Sequence, residues 1–300
     1  MPADAHHDGH PHHRAWVTDL LLLLMAIIWG VNFSVVKFGM RHLEPLAFNG
    51  VRVLLAGVSL LAVARALRLP MPPRREVLTL LGLGVLGNGV YQLLFVEGIS
   101  RTRAGNASLL MAATPVLIAF LGRLRGVERV HLRGYIGIAL SVGGIGFVMR
   151  GTASAQVGDA SLAGDAFILA ASAVWATYTV LLKPYTHHVD GVQVSALTMI
   201  GGAIPLCAVA APAISRTAWT ALPLSAWLAI GYSGIFALVI AYLIWYRGIK
   251  LIGPTRTSMY SNLQPVIAVL VAWGALGEVP TTAQGIGAGC VMAGLLLTRA

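Results

Sequence analysis

Polar and aromatic side chains recur at helical spacing inside stretches that are otherwise apolar. One stripe follows the i, i+3, i+4, i+7 pattern and consists of Asn88, Tyr91, Gln92 and Phe95, which puts two amides and a phenol on one helix face. Such groups are costly in lipid without a partner, so they face protein or an aqueous cavity. The stripe predicts contact with a bound solute, and hydrogen bonding between helices is the equal alternative.

Two prolines mark a second group of polar residues. Pro115 and Pro265 each lack an amide hydrogen and so free a backbone carbonyl in the preceding turn. Paired prolines in two spans favour a role in lining a cavity over a simple kink. The polar residues predicted to line a cavity beside them are Asn106, Tyr260, Asn262 and Gln264.

Aromatic residues lead three further stretches. Trp29 comes with Asn32, and Trp175 with Tyr178, at matching positions in the middle of their stretches. An aromatic wall of this kind suits an amphipathic or partly apolar solute, whereas core packing is the alternative. The third stretch holds Tyr242, Trp245 and Tyr246, which predict either an extension of the wall or an interfacial belt.

Arg52 is the one charge well inside an apolar stretch. It lies about seven residues in, or roughly 10 Å at the rise of an α-helix. A charge at that depth faces protein or water, or its head group snorkels to the membrane surface. We therefore predict that Arg52 either binds a substrate carboxylate or snorkels to the outer surface.

The composition indicates which type of secondary structure holds these residues in place. Apolar residues make up 57% of the 300 and charged residues 11%, against roughly 25% charged in a typical soluble domain. A soluble fold is excluded, and only helices satisfy the backbone in lipid over stretches of about 20 residues. We predict an all-α polytopic membrane protein with ten transmembrane helices, numbered here as spans one to ten: 17–38, 45–67, 77–99, 105–124, 132–149, 164–183, 192–213, 222–246, 255–276 and 282–298.

Loop charge predicts the orientation of these spans. The net charge of +10 lies in short clusters between spans, which we attribute to cytoplasmic loops rather than to a nucleic-acid surface. Both termini are then cytoplasmic in a cell inner membrane, and residues 1–16 form a histidine-rich tail, mobile or metal-binding. The cytoplasmic clusters are Arg65, Arg68, Arg74, Arg75, Arg123, Arg125, Arg129 and Arg133.

The chain also repeats itself. At an offset of 150, Pro115 aligns with Pro265 and Glu128 with Glu278; at 146, the series Asp19, Trp29, Lys37 aligns with Asp165, Trp175, Lys183. Each repeat holds five spans, so the second copy enters the membrane from the opposite side. The predicted domains are 17–150 and 163–300. Inverted repeats of this kind are typical of secondary transporters, and a duplicated scaffold without transport is the alternative.

These residues resemble the EamA family of the drug/metabolite transporter superfamily. The resemblance implies two EamA domains, a central cavity between the halves, and export of a small metabolite, often an amino acid. The sequence departs from the family pattern at two places. Val127 separates the glycine and glutamate of the first Gly-Glu pair, Gly126 and Glu128, and Ala176 replaces the glycine expected after the second tryptophan. The matching positions are Trp29-Gly30-Val-Asn32, Lys37, Pro45, Arg52, Pro115, Leu-Gln264-Pro265 and Gly277-Glu278.

The predicted function is therefore export of an amino acid or related amphipathic solute by alternating access. The alternatives are import or exchange of a sugar-like or cationic solute, and a membrane scaffold or sensor. We expect no catalysis, cofactor or metal, because no P-loop, zinc motif or nucleophile elbow is present. Mid-span acids are also absent, so facilitated diffusion or exchange is as plausible as proton antiport. Small residues in spans five and ten predict close helix packing, or a homodimer interface: Gly137, Ser141, Gly144, Gly285 and Gly289.

Overall fold

The computed structural model describes residues 11–126 and 158–299, together with 136–137, 139–140, 142–144 and 146–148 between them. Every regular element in this part of the chain is a helix, which confirms the all-α prediction there. Eight helices are long and apolar enough to cross a membrane. They are Trp16–Gly39, Pro45–Ala66, Arg74–Arg101, Ala104–Leu124, Leu162–His187, Gly191–Arg216, Leu224–Ile252 and Pro254–Leu276, corresponding to spans one to four and six to nine.

The remaining predicted elements are only partly covered. A ninth long helix, Thr282–Arg299, occupies the place of span ten. Span five is described only in part, and Arg129, Arg133 and Ser141 lie outside the described residues. The first helix begins at Pro11, inside the predicted histidine-rich tail, and residues 1–10 lie outside the description.

Four of the spans are interrupted, and the interruptions occur in corresponding pairs. Spans three and eight contain π-helical segments at Val85–Val90 and Tyr232–Ile240, and regular α-helix resumes at Tyr91 and Ala241, 150 residues apart. Spans four and nine break just before Pro115 and Pro265. Such interruptions are uncommon and often functional, and their spacing supports the duplication proposed from the sequence.

Glycines allow spans three and seven to pack backbone to backbone. A Cβ at Gly84 would lie 2.1 Å from the carbonyl oxygen of Thr198, and a Cβ at Gly202 would lie 2.4 Å from the carbonyl carbon of Asn88. Spans five and ten also meet closely, since a Cβ at Gly287 would lie 2.9 Å from the carbonyl oxygen of Gly144. This contact is at Gly287, whereas a Cβ at Gly285 or Gly289, the small residues predicted for span ten, would meet no described atom within 4 Å.

Helix contacts leave a space at the centre of the bundle. Span two packs along span seven, span three along span six, and span one against spans eight and nine. The buried apolar residues form two clusters, and the first includes Trp175, Tyr178 and Tyr242. The predicted aromatic site residues therefore pack as part of the core.

Candidate substrate cavity

A cavity at the centre of the bundle is lined by residues of spans one, two, three, four, six, eight and nine. Its volume is about 50 Å³, measured as space for the centres of water-sized molecules, which is room for a few waters. An amino acid therefore enters only if side chains or helices move. The lining residues are Trp29, Asn32, Phe33, Arg52, Tyr91, Gln92, Phe95, Met111, Thr114, Trp175, Ala237, Leu238, Tyr242, Ser261 and Gln264.

Arg52 lies in the wall of this cavity and is 1% exposed. Its Nε donates to Asn49 Oδ1 at 2.9 Å, its Nη1 to Ser233 Oγ at 2.7 Å and its Nη2 to Gln92 Oε1 at 2.7 Å. Burial excludes snorkelling to the outer surface. The interacting side chains thus come from spans two, three and eight, and they fix the direction of the guanidinium group.

The charge of Arg52 has no acidic partner among the described residues. Every ion pair in that part of the chain lies elsewhere, and the three hydrogen-bond partners of Arg52 are neutral. The rings of Phe48 and Phe95 lie 5.7 and 5.8 Å from Cζ and add weak cation–π attraction. A guanidinium stays protonated in proteins, so the cavity wall carries one buried positive charge.

Aromatic side chains form another part of the wall. Trp29 makes ring contacts with Trp175 at 6.2 Å and Tyr242 at 6.0 Å, and its Nε1 donates to the carbonyl oxygen of Ala237 at 2.9 Å. Tyr91 lies 4.9 Å from Trp175. Trp245 stacks behind them and is 1% exposed, which excludes the interfacial belt suggested for it. This wall adds flat apolar surface to the cavity that Arg52 also lines.

Eight of the thirteen predicted site residues line the cavity, and five do not. Asn106 accepts a hydrogen bond from Gln284 Nε2 at 2.6 Å, next to span ten. The hydroxyl of Tyr260 donates to Asp19 at 2.5 Å, at the end of span one where the helix enters the bundle. Asn262 donates to the carbonyl oxygen of Met259 in its own helix. The last two, Asn88 and Tyr178, are buried beside the cavity rather than in its lining.

Two residues of the Arg52 network were missed by sequence reasoning. Asn49 and Ser233 are both fully buried and hydrogen-bonded to Arg52. The signal for Asn49 was available, because it precedes Arg52 by three residues and so shares its helix face. Ser233 is an ordinary small polar residue in an apolar span, and nothing in its sequence context distinguishes it.

An ionic cluster joins the two halves at one end of the bundle. Glu278 lies 3.9 Å from Lys37 and 4.0 Å from Arg103, and its carboxylate accepts from the backbone amides of Ala104 and Gly105 at the start of span four. Negative charge at a helix start is favourable. The cluster therefore ties the end of span nine to spans one and four. Within the described residues, no group of three or more His, Cys, Asp or Glu side chains could hold a metal ion.

Comparison with known proteins identifies the family. The profile of the EamA-like transporter family matches residues 16–150 and 162–300. The chain belongs to this family. It is a membrane transporter of the EamA type, as the resemblance predicted.

Several known transporters are similar to most of the chain. The chain is 30% identical over 281 residues to an uncharacterized inner membrane transporter of Escherichia coli K12, covering 92% of this chain and 88% of that one. It is 27% identical to an uncharacterized transporter of Bacillus subtilis, with 92% of each covered. A probable amino-acid metabolite efflux pump of Salmonella typhimurium is 29% identical, with 92% and 93% covered. A crystal structure shares the fold with a TM-score of 0.67 at 17% identity, covering 94% of this chain and 98% of the other.

Proposed function

We propose that this transporter exports a small organic solute bearing a carboxylate, such as an amino acid or a related amphipathic compound. The observation that carries the proposal is Arg52, a buried cation in the cavity wall whose described partners are all neutral. An unpaired buried charge is costly. A substrate carboxylate entering the cavity supplies the missing partner through charge-assisted hydrogen bonds.

The rest of the cavity wall supports an amphipathic solute. Trp29, Trp175 and Tyr242 offer aromatic surface, which suits an apolar side chain, and their ring faces attract an ammonium group. The likeness to a probable amino-acid metabolite efflux pump agrees with this substrate class. The buried charge of Arg52 disfavours a purely cationic solute, because like charges repel in a site of low dielectric constant.

The proposed architecture is ten spans in two inverted halves, 17–150 and 163–300, with both termini cytoplasmic in the inner membrane. The paired interruptions 150 residues apart support the duplication. The cavity lies between the halves, with Arg52 from the first and Trp175 from the second. Rocking of one half against the other would expose it alternately to each side.

A comparison of cells overproducing the wild type with cells overproducing Arg52→Gln tests the function. We expect one or more carboxylate-bearing compounds to accumulate in the medium of the wild-type culture and to stay at background with the variant, while both proteins reach the same membrane level. Uptake of the same compound into inverted vesicles then tests the direction. Accumulation of a compound without a carboxylate, or equal accumulation with Arg52→Gln, would contradict the proposal.

A further inference from the structure

A second group of buried polar side chains lies one helical turn from the cavity. On span three, Asn88 precedes Gln92 by four residues; on span eight, Tyr246 follows Tyr242 by four. On span six, Tyr178 follows Trp175 by three residues, and their rings are 5.2 Å apart. Three spans thus each supply one cavity residue and one neighbour about 5 Å along the helix axis. The neighbouring set consists of Asn88, Tyr178 and Tyr246, called here the polar triad.

The side chains of the polar triad converge. The hydroxyl groups of Tyr178 and Tyr246 are hydrogen-bonded at 2.6 Å, and the Tyr178 hydroxyl is within reach of the Asn88 and Thr198 side chains. Tyr178 also packs against Gly87, where a Cβ would lie 2.4 Å from its ring. The glycines of span three therefore let Tyr178 approach the helix that carries Asn88.

Asn88 is left unsatisfied in this arrangement. Its side chain is fully buried and lies near the Tyr178 hydroxyl, but neither its amide nitrogen nor its amide oxygen makes a hydrogen bond of ordinary geometry within the part of the chain that the structure describes. A buried amide without partners is costly, so native proteins rarely keep one without a use. The π-helical segment Val85–Val90 carries Asn88, and such segments are frequent at functional sites.

We propose that the polar triad is a second binding station for the substrate carboxylate, next to the Arg52 station on the transport path. This inference rests on the proposed function and extends it. The two phenols and the Asn88 amide are hydrogen-bond donors without formal charge. They can hold a carboxylate more weakly than a guanidinium does, which permits transfer between stations without trapping.

The triad is closed in this structure. The Tyr178–Tyr246 hydrogen bond occupies the space between the two rings, and both residues are at most 1% exposed. Opening the station requires the two hydroxyl groups to separate and turn toward the ligand and Asn88. The same bond therefore closes the triad to a ligand in this structure.

Thiol labelling tests the proposal without knowledge of the substrate. In a Cys207→Ser/Cys290→Ser background, Asn88→Cys is treated with a membrane-impermeant anionic methanethiosulfonate. The reagent reacts with thiolates that are in contact with water. A station on the transport path is reached by water during the cycle, so we expect labelling at Asn88→Cys to be about tenfold faster than at Ala196→Cys. Ala196 is the matched control because it is 1% exposed and lies two residues from Thr198 on span seven. Ala237→Cys, in the cavity lining, is the positive control.

The outcomes separate the station from the cavity. If Ala237→Cys is labelled but Asn88→Cys reacts as slowly as Ala196→Cys, the second station is wrong and the cavity stands. If Ala237→Cys is not labelled at all, the proposed function itself is contradicted. Tyr246→Cys is labelled in the same way and replaces Asn88→Cys if that variant does not fold. After normalisation to a free thiol in water, a cationic reagent reacting faster than the anionic one at Asn88→Cys would overturn the carboxylate assignment.

Discussion

The recognition of a carboxylate by Arg52 can be measured with two substitutions at one position. A guanidinium has five N–H groups, and three of them are used by Asn49, Ser233 and Gln92. The two that remain can donate to a carboxylate, at about 1.5 to 3 kcal/mol for each charge-assisted hydrogen bond. Arg52→Gln removes the charge and at least one of these donors. We expect a loss of about 3 kcal/mol, or a Kd raised about 100-fold.

Arg52→Lys keeps the charge but not the planar fork, so its Kd should rise only about tenfold. The assay is quenching of tryptophan fluorescence in the purified transporter, since Trp29 and Trp175 line the cavity. The titrated ligands are the exported compound found in the metabolite screen and the same compound without its carboxylate. Equal loss of affinity for both ligands would mean that the substitution had only deformed the cavity. Unchanged affinity of Arg52→Gln for the carboxylate would refute the role of Arg52.

Three further predictions concern the frame around the cavity. Gly84→Ala places a Cβ 2.1 Å from a backbone oxygen of span seven and should destabilise the protein by about 1 to 3 kcal/mol. Gly231→Ala is the control and should not destabilise it, because a Cβ there meets nothing within 4 Å. Equal rates of thermal inactivation of the two variants in detergent would contradict the close packing of spans three and seven. Glu278→Gln loses two ion pairs and weakens the cap at the start of span four, so stability should fall by about 1 kcal/mol. Glu44→Gln is the control and should have no measurable effect in the same assay, because the ion pair of Glu44 with Arg216 is exposed. An equal loss of stability in Glu278→Gln and Glu44→Gln would refute the structural role of the cluster. Deletion of residues 2–13 should leave transport in vesicles unchanged, whereas loss of a metal-dependent response would favour the sensor alternative.

The helices and the chemistry of the site were predictable from the sequence, because both depend on local features. Apolar runs of membrane length predict spans, and a single arginine at depth predicts a buried partner or ligand. What a helix face contacts depends on its neighbours, however. Asn106 and Tyr260 have polar partners at the ends of other spans, which no spacing rule indicates.

The π-helical segments explain a second difference between the predicted site and the site in the structure. The stripe of Asn88, Tyr91, Gln92 and Phe95 assumed regular α-helical spacing, but Asn88 lies in a segment with a wider turn. Asn88 is accordingly absent from the lining of the cavity, to which the other three residues belong. Glycines on both sides of Asn88 tolerate the wider turn. Because glycine is compatible with many backbone geometries, these residues do not by themselves predict a π-helical segment.

The buried charge of Arg52 also determines how membrane voltage acts on the transport cycle. The empty site carries one positive charge with no described acid beside it, and a bound monocarboxylate brings the total to zero. Moving one elementary charge through 100 mV changes the free energy by about 2.3 kcal/mol. Under the proposed function, the potential acts on the empty site and leaves a site loaded with a monocarboxylate of net charge −1 unaffected. A zwitterionic amino acid adds no net charge, so with that substrate both halves of the cycle would be voltage-sensitive.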